Sequence, residues 1–147
     1  MNITRNLLHE WYHGGARTPA DVQRLAQENL GLTLTAEKVK KILEDQIPLE
    51  QWYQTRIMAA IRQLYPEAFV RKIAAGVYSE RGFPDVLVII DGLYIGLEIK
   101  RPFLGKPTPL QLDTIEAIKR AGGTARVVCL PEEAVEAIEY ALSLIHI

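Results

Sequence analysis

The chain has 147 residues, 48% of them apolar, and a formal net charge of −1. That length allows one domain with a real core plus a small appendage, and near-neutrality excludes a globally basic nucleic-acid binder, so any DNA-binding surface must be a local patch. The single cysteine, Cys129 in the run RVVCL, excludes an intramolecular disulfide framework and reads as a core residue of a protein from a reducing compartment.

The first fifteen residues are polar, unlike a signal peptide, and the longest apolar run is too short to span a bilayer. A soluble cytoplasmic protein with no membrane partner is expected. His9-Glu10-Trp11-Tyr12-His13 has the H-E-x-x-H spacing of zinc proteases, but Gly14-Gly15 breaks the helix at once and His146 is the only other histidine. The stretch reads instead as an amphipathic helix packing Leu7, Leu8 and Trp11. Thr18-Pro19-Ala20-Asp21 then supplies an N-cap, a proline at the first helical position and an acid in the first turn. Val22, Leu25 and Ala26 form its apolar stripe, and Gly31 ends it. A second helix from Thr35 turns Val39, Ile42 and Leu43 inward and stops before Pro48. These two helices also allow a helix-turn-helix reading, in which Lys38, Lys40 and Lys41 contact DNA, although Glu37, Glu44 and Asp45 dilute that charge. Residues 1–48 are thus predicted as a helical extension, and residues 49–147 as the main domain.

That domain opens with a helix over 49–64, ended by Pro66. Tyr53, Ile57, Ile61 and Leu64 share a face, with Glu50 at the start of the same stripe. A strand is predicted over 69–75. Residues 86–90 and 93–99 are β-prone runs joined by Asp91-Gly92, the favoured type I′ turn pair. Centring the turn there pairs Ile90 with Leu93, Val88 with Ile95 and Val86 with Leu97, and sets Asp85 opposite Glu98. One face (Val86, Val88, Ile90, Leu93, Ile95, Leu97, Ile99) is wholly apolar. The other carries Asp85, Leu87, Ile89, Tyr94, Gly96, Glu98 and Lys100. Facing carboxylates repel. Lys100 offsets part of that and a divalent metal would offset the rest; a strand-end salt bridge is the structural alternative.

A helix is predicted over 106–123. It starts at Thr108-Pro109-Leu110-Gln111, which fits a capping box, buries Leu112, Ile115 and Ile118, and ends at Gly122-Gly123. A strand over 124–130 follows, parallel to 93–99 through a right-handed crossover. The last helix, 132–144, has an acidic face (Glu132, Glu133, Glu136, Glu139) that reads as solvated. The apolar tail Leu144-Ile145-His146-Ile147 reads as a clipped or non-native end. The order from residue 49 is αβββαβ and a closing helix, an α/β domain with one mixed sheet flanked by helices.

Pro84-Asp85 followed by Glu98-Ile99-Lys100 on a hairpin within αβββαβ resembles the PD-(D/E)xK nuclease superfamily, with its restriction-endonuclease-like core. Gly82-Phe83-Pro84-Asp85, Glu98-Ile99-Lys100-Arg101, Thr108-Pro109-Leu110-Gln111 and Gly122-Gly123, in that order, resemble the VRR-NUC (virus-type replication-repair nuclease) family over roughly residues 49–139. The resemblance implies a DNA endonuclease that leaves 3′-hydroxyl and 5′-phosphate ends. Asp85, Glu98 and the carbonyl of Ile99 would hold Mg2+ or Mn2+, hard cations that take oxygen ligands. Lys100 would position the attacking water and offset charge developing at phosphorus. A glutamate of the first core helix completes the metal site in that family, which points to Glu50; a first-turn acid favoured by the helix dipole is its other reading. Gln111 matches the family's glutamine beside the catalytic lysine and fits the capping box equally. Arg71, Lys72, Arg81, Arg101 and Lys106 are candidates to hold DNA phosphates, each with an ordinary solvated charge as the alternative.

Single-domain members resemble junction resolvases, so branched DNA is the expected substrate, with duplex next, in replication, recombination or repair in a bacterium or phage-infected cell. Two symmetric cuts across a four-way junction need two sites. A homodimer is therefore expected, with Leu7, Leu8, Trp11, Val39 and Ile42 or the tail (Leu144, Ile145, Ile147) at its interface. A DNA-binding module using only the N-terminal helices is the non-enzyme alternative. It leaves Asp85, Glu98 and Lys100 unexplained.

Overall fold

A computed structural model describes residues 2–73 and 82–146. The chain divides into two compact units: Met1–Leu49 with Arg101–Gly105, and Glu50–Lys100 with Lys106–Ile147.

The first unit holds α1 (Arg5–His13), α2 (Pro19–Leu30) and α3 (Ala36–Gln46). Threonine caps start all three. Thr4, Thr18 and Thr35 each accept from the backbone N–H three residues on, and Thr18 with Asp21 completes a capping box. Gly31 ends α2 in the left-handed conformation, with φ of 67°. Leu8, Trp11, Val22, Ala26, Val39 and Leu43 are buried. The premise that the N-terminal helices leave apolar surface uncovered therefore fails for Leu8, Trp11 and Val39, which are buried in the single chain. In the 101–105 segment, the Phe103 ring meets Tyr12 edge-on at 5.8 Å. The Arg101 guanidinium donates to the carbonyls of Pro48 (2.8 Å) and Ile47 (2.7 Å), where α3 ends.

The second unit is a four-stranded sheet of order β1-β2-β3-β4. Its elements are α4 (Glu50–Leu64), β1 (Phe69–Lys72), β2 (Val86–Ile90), β3 (Leu93–Ile99), α5 (Pro109–Arg120), β4 (Thr124–Val128) and α6 (Pro131–Ser143), with a single 3₁₀ turn at Leu144–His146. Strands β1, β2 and β3 pair antiparallel, and β4 is parallel to β3. The expected register is borne out: Val86 pairs with Leu97, Val88 with Ile95, and Ile90 with Leu93. Asp91 and Gly92 both have positive φ (52° and 77°), as a type I′ turn requires. Val70, Val86, Val88, Ile95, Leu97 and Ile99 are buried beneath Tyr53, Ile57 and Ile61 of α4 and Ala134, Ala137, Ile138 and Ala141 of α6. Each large apolar side chain of this set stabilises the fold by about 1.5–3 kcal/mol.

Several expectations need correction. Leu64, the last residue of α4, is exposed. Leu112 is exposed as well, because α5 lies on β3 and β4 and only Ile115 of its stripe is buried. Of the strand expected over 69–75, Phe69–Lys72 forms and 74–75 lie outside the described residues. The expected helix over 106–123 begins at Pro109, where proline lacks an N–H, and stops at Arg120. Glu133 is more than a solvated acid. Its carboxylate accepts from the N–H groups of Cys129 and Leu130 (both 3.0 Å) and so caps α6. Among the described residues, no helix is long and apolar enough to cross a membrane.

Candidate metal centre

Asp85 sits just before β2 and is fixed twice. Its backbone carbonyl accepts from Ile73 N–H at 2.8 Å, and its carboxylate Oδ2 accepts from Ile99 N–H at 2.8 Å. The approach to Asp85 is as tightly set. Gly82 has φ of +85°, and a Cβ there would lie 2.8 Å from Leu110 Cγ and 3.0 Å from both Leu110 O and Thr114 Oγ1 on α5. Pro84 rests on Gly96 of β3, where a Cβ would come within 2.8 Å of the proline Cγ. Both glycines are therefore close-approach positions, one against α5 and one beneath the proline.

Glu98 is 1% exposed. Its Oε1 accepts from Gln111 Nε2 at 2.8 Å, and Lys100 Nζ lies 3.7 Å from the same oxygen. Its Oε2 is buried with no hydrogen-bond partner among the described residues. Gln111 reaches Glu98 and also completes a capping box. Its Oε1 accepts from Thr108 N–H (2.9 Å) and its own N–H donates to Thr108 Oγ1 (3.2 Å), which completes the capping box. The cap thus uses the amide carbonyl and leaves the amide N–H₂ for Glu98.

Glu50, the first residue of α4, brings the third carboxylate. One oxygen each from Glu50, Asp85 and Glu98 lie within 4.8 Å of one another. The consequence is electrostatic. Burial, then the charge and hydrogen bonding of Asp85, then the charge of Glu50, push the Glu98 carboxyl from 4.5 up to about 8, with Lys100 opposing. A cluster of this kind repels itself, and its chemistry fits a hard divalent cation. The donors are all carboxylate oxygens, and Glu98 Oε2 is an acceptor that nothing among the described residues satisfies. Oxygens bound to one Mg2+ at ~2.1 Å lie up to ~4.2 Å apart, so small rotations would close this set around an ion.

No family profile and no curated protein matches the sequence. A solved structure described as a VRR_NUC domain does match, with a TM-score of 0.50 and 30% identity, over 61% of this chain and 94% of its own. The chain belongs to the VRR-NUC family.

In this VRR-NUC chain the remaining candidates separate. Arg71 and Lys72, on β1, are exposed, and the Arg71 guanidinium lies over the Phe69 ring at 4.2 Å. Lys106 is exposed in the second unit. Arg101 belongs to the first unit, where its guanidinium serves the α3 terminus. Arg81 lies outside the described residues. Of Ile99, the N–H is engaged by Asp85. Three residues have roles that sequence reasoning does not reach. Gly82 belongs to a motif that gives no reason for glycine. Gly96 interrupts a β-prone run, which signals a close approach. Gln54 is a polar side chain one turn beyond Glu50. It is 8% exposed and its Oε1 is buried without a hydrogen-bond partner among the described residues.

Proposed function

We propose that this chain is a divalent-metal-dependent DNA endonuclease selective for branched substrates, four-way junctions or flaps. The carrying observation is the convergence of Glu50, Asp85 and Glu98 within 4.8 Å, beside Lys100, on a VRR-NUC fold. Glu50, Asp85, Glu98 and the Ile99 carbonyl hold Mg2+ or Mn2+. When bound, the ion polarises the phosphate and makes water a better nucleophile at neutral pH. Ile99 N–H holds one oxygen of Asp85, so the carboxylate keeps its aim. Gln111 holds Oε1 of Glu98 and leaves Oε2 for the cation. The Lys100 ammonium steers the attacking water and offsets the charge that gathers on the phosphate oxygens. Water attacks phosphorus, the P–O3′ bond breaks, and the 3′ oxygen takes up a proton, leaving 3′-hydroxyl and 5′-phosphate ends. Arg71, Lys72 and Lys106, exposed cations of the second unit, are assigned to the DNA backbone, with Arg81 and Arg101 the remaining candidates.

The protein acts as a homodimer, which matches the two-fold symmetry of a junction. Exposed Tyr140, Leu144 and Ile145 in the second unit support this. Light scattering at micromolar concentration tests it, and a persistent monomer overturns it.

The activity is tested with labelled junction, flap, duplex and single strand, each with Mg2+ and with Mn2+. Cleavage of branched DNA is expected, lost in Asp85→Ala and lowered by orders of magnitude in Lys100→Ala, which still binds the ion. Failure of the folded wild-type protein to cut any of the four in either metal would overturn the enzyme reading.

A further inference from the structure

Gln54 is a buried polar residue with no structural use for its oxygen. It is 8% exposed, on the inward face of α4 with Tyr53, Ile57 and Ile61, and Oε1 has no donor among the described residues. An orphaned buried acceptor costs about 1–3 kcal/mol. A Leu or Met of similar size would avoid that cost. Position says what the oxygen is for. Gln54 follows Glu50 by four residues, so the two lie one above the other on one helix face. Helical side chains lean toward the N-terminus, which sends the Gln54 amide back toward the turn that presents Glu50. Glu50 is one of the three carboxylates drawn together, and Glu98 in the same cluster holds the other orphaned acceptor, Oε2. Of the two unpartnered side-chain acceptors among the described residues, one thus belongs to the carboxylate cluster and the other lies one helical turn along α4 from a member of it. A hydrated divalent cation would supply what each lacks: the ion itself to a carboxylate, and the O–H of its retained water to a neutral amide oxygen. Mg2+ in particular keeps several of its waters when bound by few carboxylates.

We propose that Gln54 is a positioning residue of the metal site, its Oε1 accepting a hydrogen bond from a water that the bound ion retains. This rests on the metal-site reading given above. It assigns to α4 two roles one turn apart: Glu50 holds the ion and Gln54 holds the ion's water. Partners that orient a metal's immediate surroundings are typically worth 10–100-fold in affinity.

The test compares wild type, Gln54→Met and Gln54→Glu by Mn2+ titration calorimetry and by melting temperature in EDTA. Gln54→Met keeps the volume and removes the acceptor. Its melting temperature without metal should equal or exceed that of wild type, while Mn2+ affinity falls about tenfold. Gln54→Glu keeps an acceptor and should retain Mn2+ affinity, which also serves if the Met variant does not fold. A merely structural glutamine gives the opposite pattern, a lower melting temperature in EDTA with unchanged affinity, and that result overturns the proposal. If Asp85→Ala abolishes Mn2+ binding while Gln54→Met leaves it intact, the role of Gln54 fails and the metal site stands. If wild type takes up no Mn2+, both fall together.

Discussion

Replacing Glu98 by Gln should stabilise the metal-free protein while destroying its site. The carboxyl is almost wholly buried, faces Asp85 and Glu50, and titrates near 8 in place of 4.5. At 1.36 kcal/mol per pH unit, a charged Glu98 costs the fold ~5 kcal/mol, a large part of a typical domain's total stability. The sign follows from proton binding. Between about 4.5 and 8 the folded state holds a proton that the unfolded state has released, so stability falls as pH rises through that window and levels off above it. Between pH 5.5 and 8.5 wild type should lose ~3 kcal/mol relative to Glu98→Gln, and at pH 8.5 the variant should be the more stable by ~4 kcal/mol. Gln at 98 keeps an oxygen for Gln111 Nε2 and adds a donor facing two carboxylates, so nothing else is orphaned. The assay is urea unfolding in EDTA at several pH values, in which other titrating groups cancel between the two proteins. Parallel stabilities of wild type and variant across pH 5.5–8.5 would show that Glu98 carries no such strain and would refute the reasoning.

Ion binding must displace the Glu98 proton. Mn2+ affinity of the wild type should therefore rise about tenfold per pH unit below about 8 and flatten above it, measured by titration at fixed ionic strength. Gly82→Ala combines a positive φ with contacts of 2.8 and 3.0 Å to Leu110. It should cost roughly 1–3 kcal/mol in urea unfolding and lower the cleavage rate by displacing Asp85. Gln111→Glu keeps the capping box, so thermal stability at pH 5 should hold within ~1 kcal/mol. It also sets a fourth carboxylate against Glu98 Oε1, so stability at pH 8.5 should drop below wild type; equal losses at both pH values would mean that only the cap matters.

Much of this was legible in the sequence because the determinants are local. Asp91-Gly92 fixes the turn, the turn fixes the register that pairs Val86 with Leu97, and the neighbours of that pair, Asp85 and Glu98, bring their carboxylates together. Thr108-Pro109-Leu110-Gln111 names both the start of α5 and the residue that reaches Glu98. What stayed hidden depends on contacts distant in sequence. Nothing near Gly82 announces that Leu110 and Thr114 press against it, and nothing near Arg101 announces that its guanidinium serves carbonyls some fifty residues earlier. Leu64 and Leu112 follow helical periodicity but extend past the sheet's cover, and periodicity carries no information on where a cover ends. Gln54 shows the same blindness from the polar side, because a glutamine on an apolar stripe is ordinary in sequence and becomes informative only once its oxygen is found buried and unpartnered.

The arrangement of donors around the cluster is selective in what it leaves undone. The protein supplies one N–H to Asp85, through Ile99, and one to Glu98, through Gln111, both at 2.8 Å. A cluster built for stability would satisfy the second oxygen of Glu98 as well and bring Lys100 closer than 3.7 Å. Here the two donors fix the orientation of Asp85 and Glu98 and leave Glu98 Oε2 without a hydrogen bond among the described residues. On the metal-site reading, a cation would remove the repulsion, and the free energy stored in Glu98 would become differential affinity for the ion-bound state. Placing Asp85 just before β2 and Glu98 on the adjacent antiparallel β3 achieves this with little machinery, because a sheet holds its strands ~4.8 Å apart however strongly the side chains repel. The hairpin is the rigid part, buried on its apolar face by α4 and α6, and the charges are carried at its end, where α4 and α5 add Glu50 and Gln111. The apolar ribbon explains why charges of one sign can be tolerated there at all: the strain at the tip is held by the packing of Val86, Val88, Ile95, Leu97 and Ile99 beneath it.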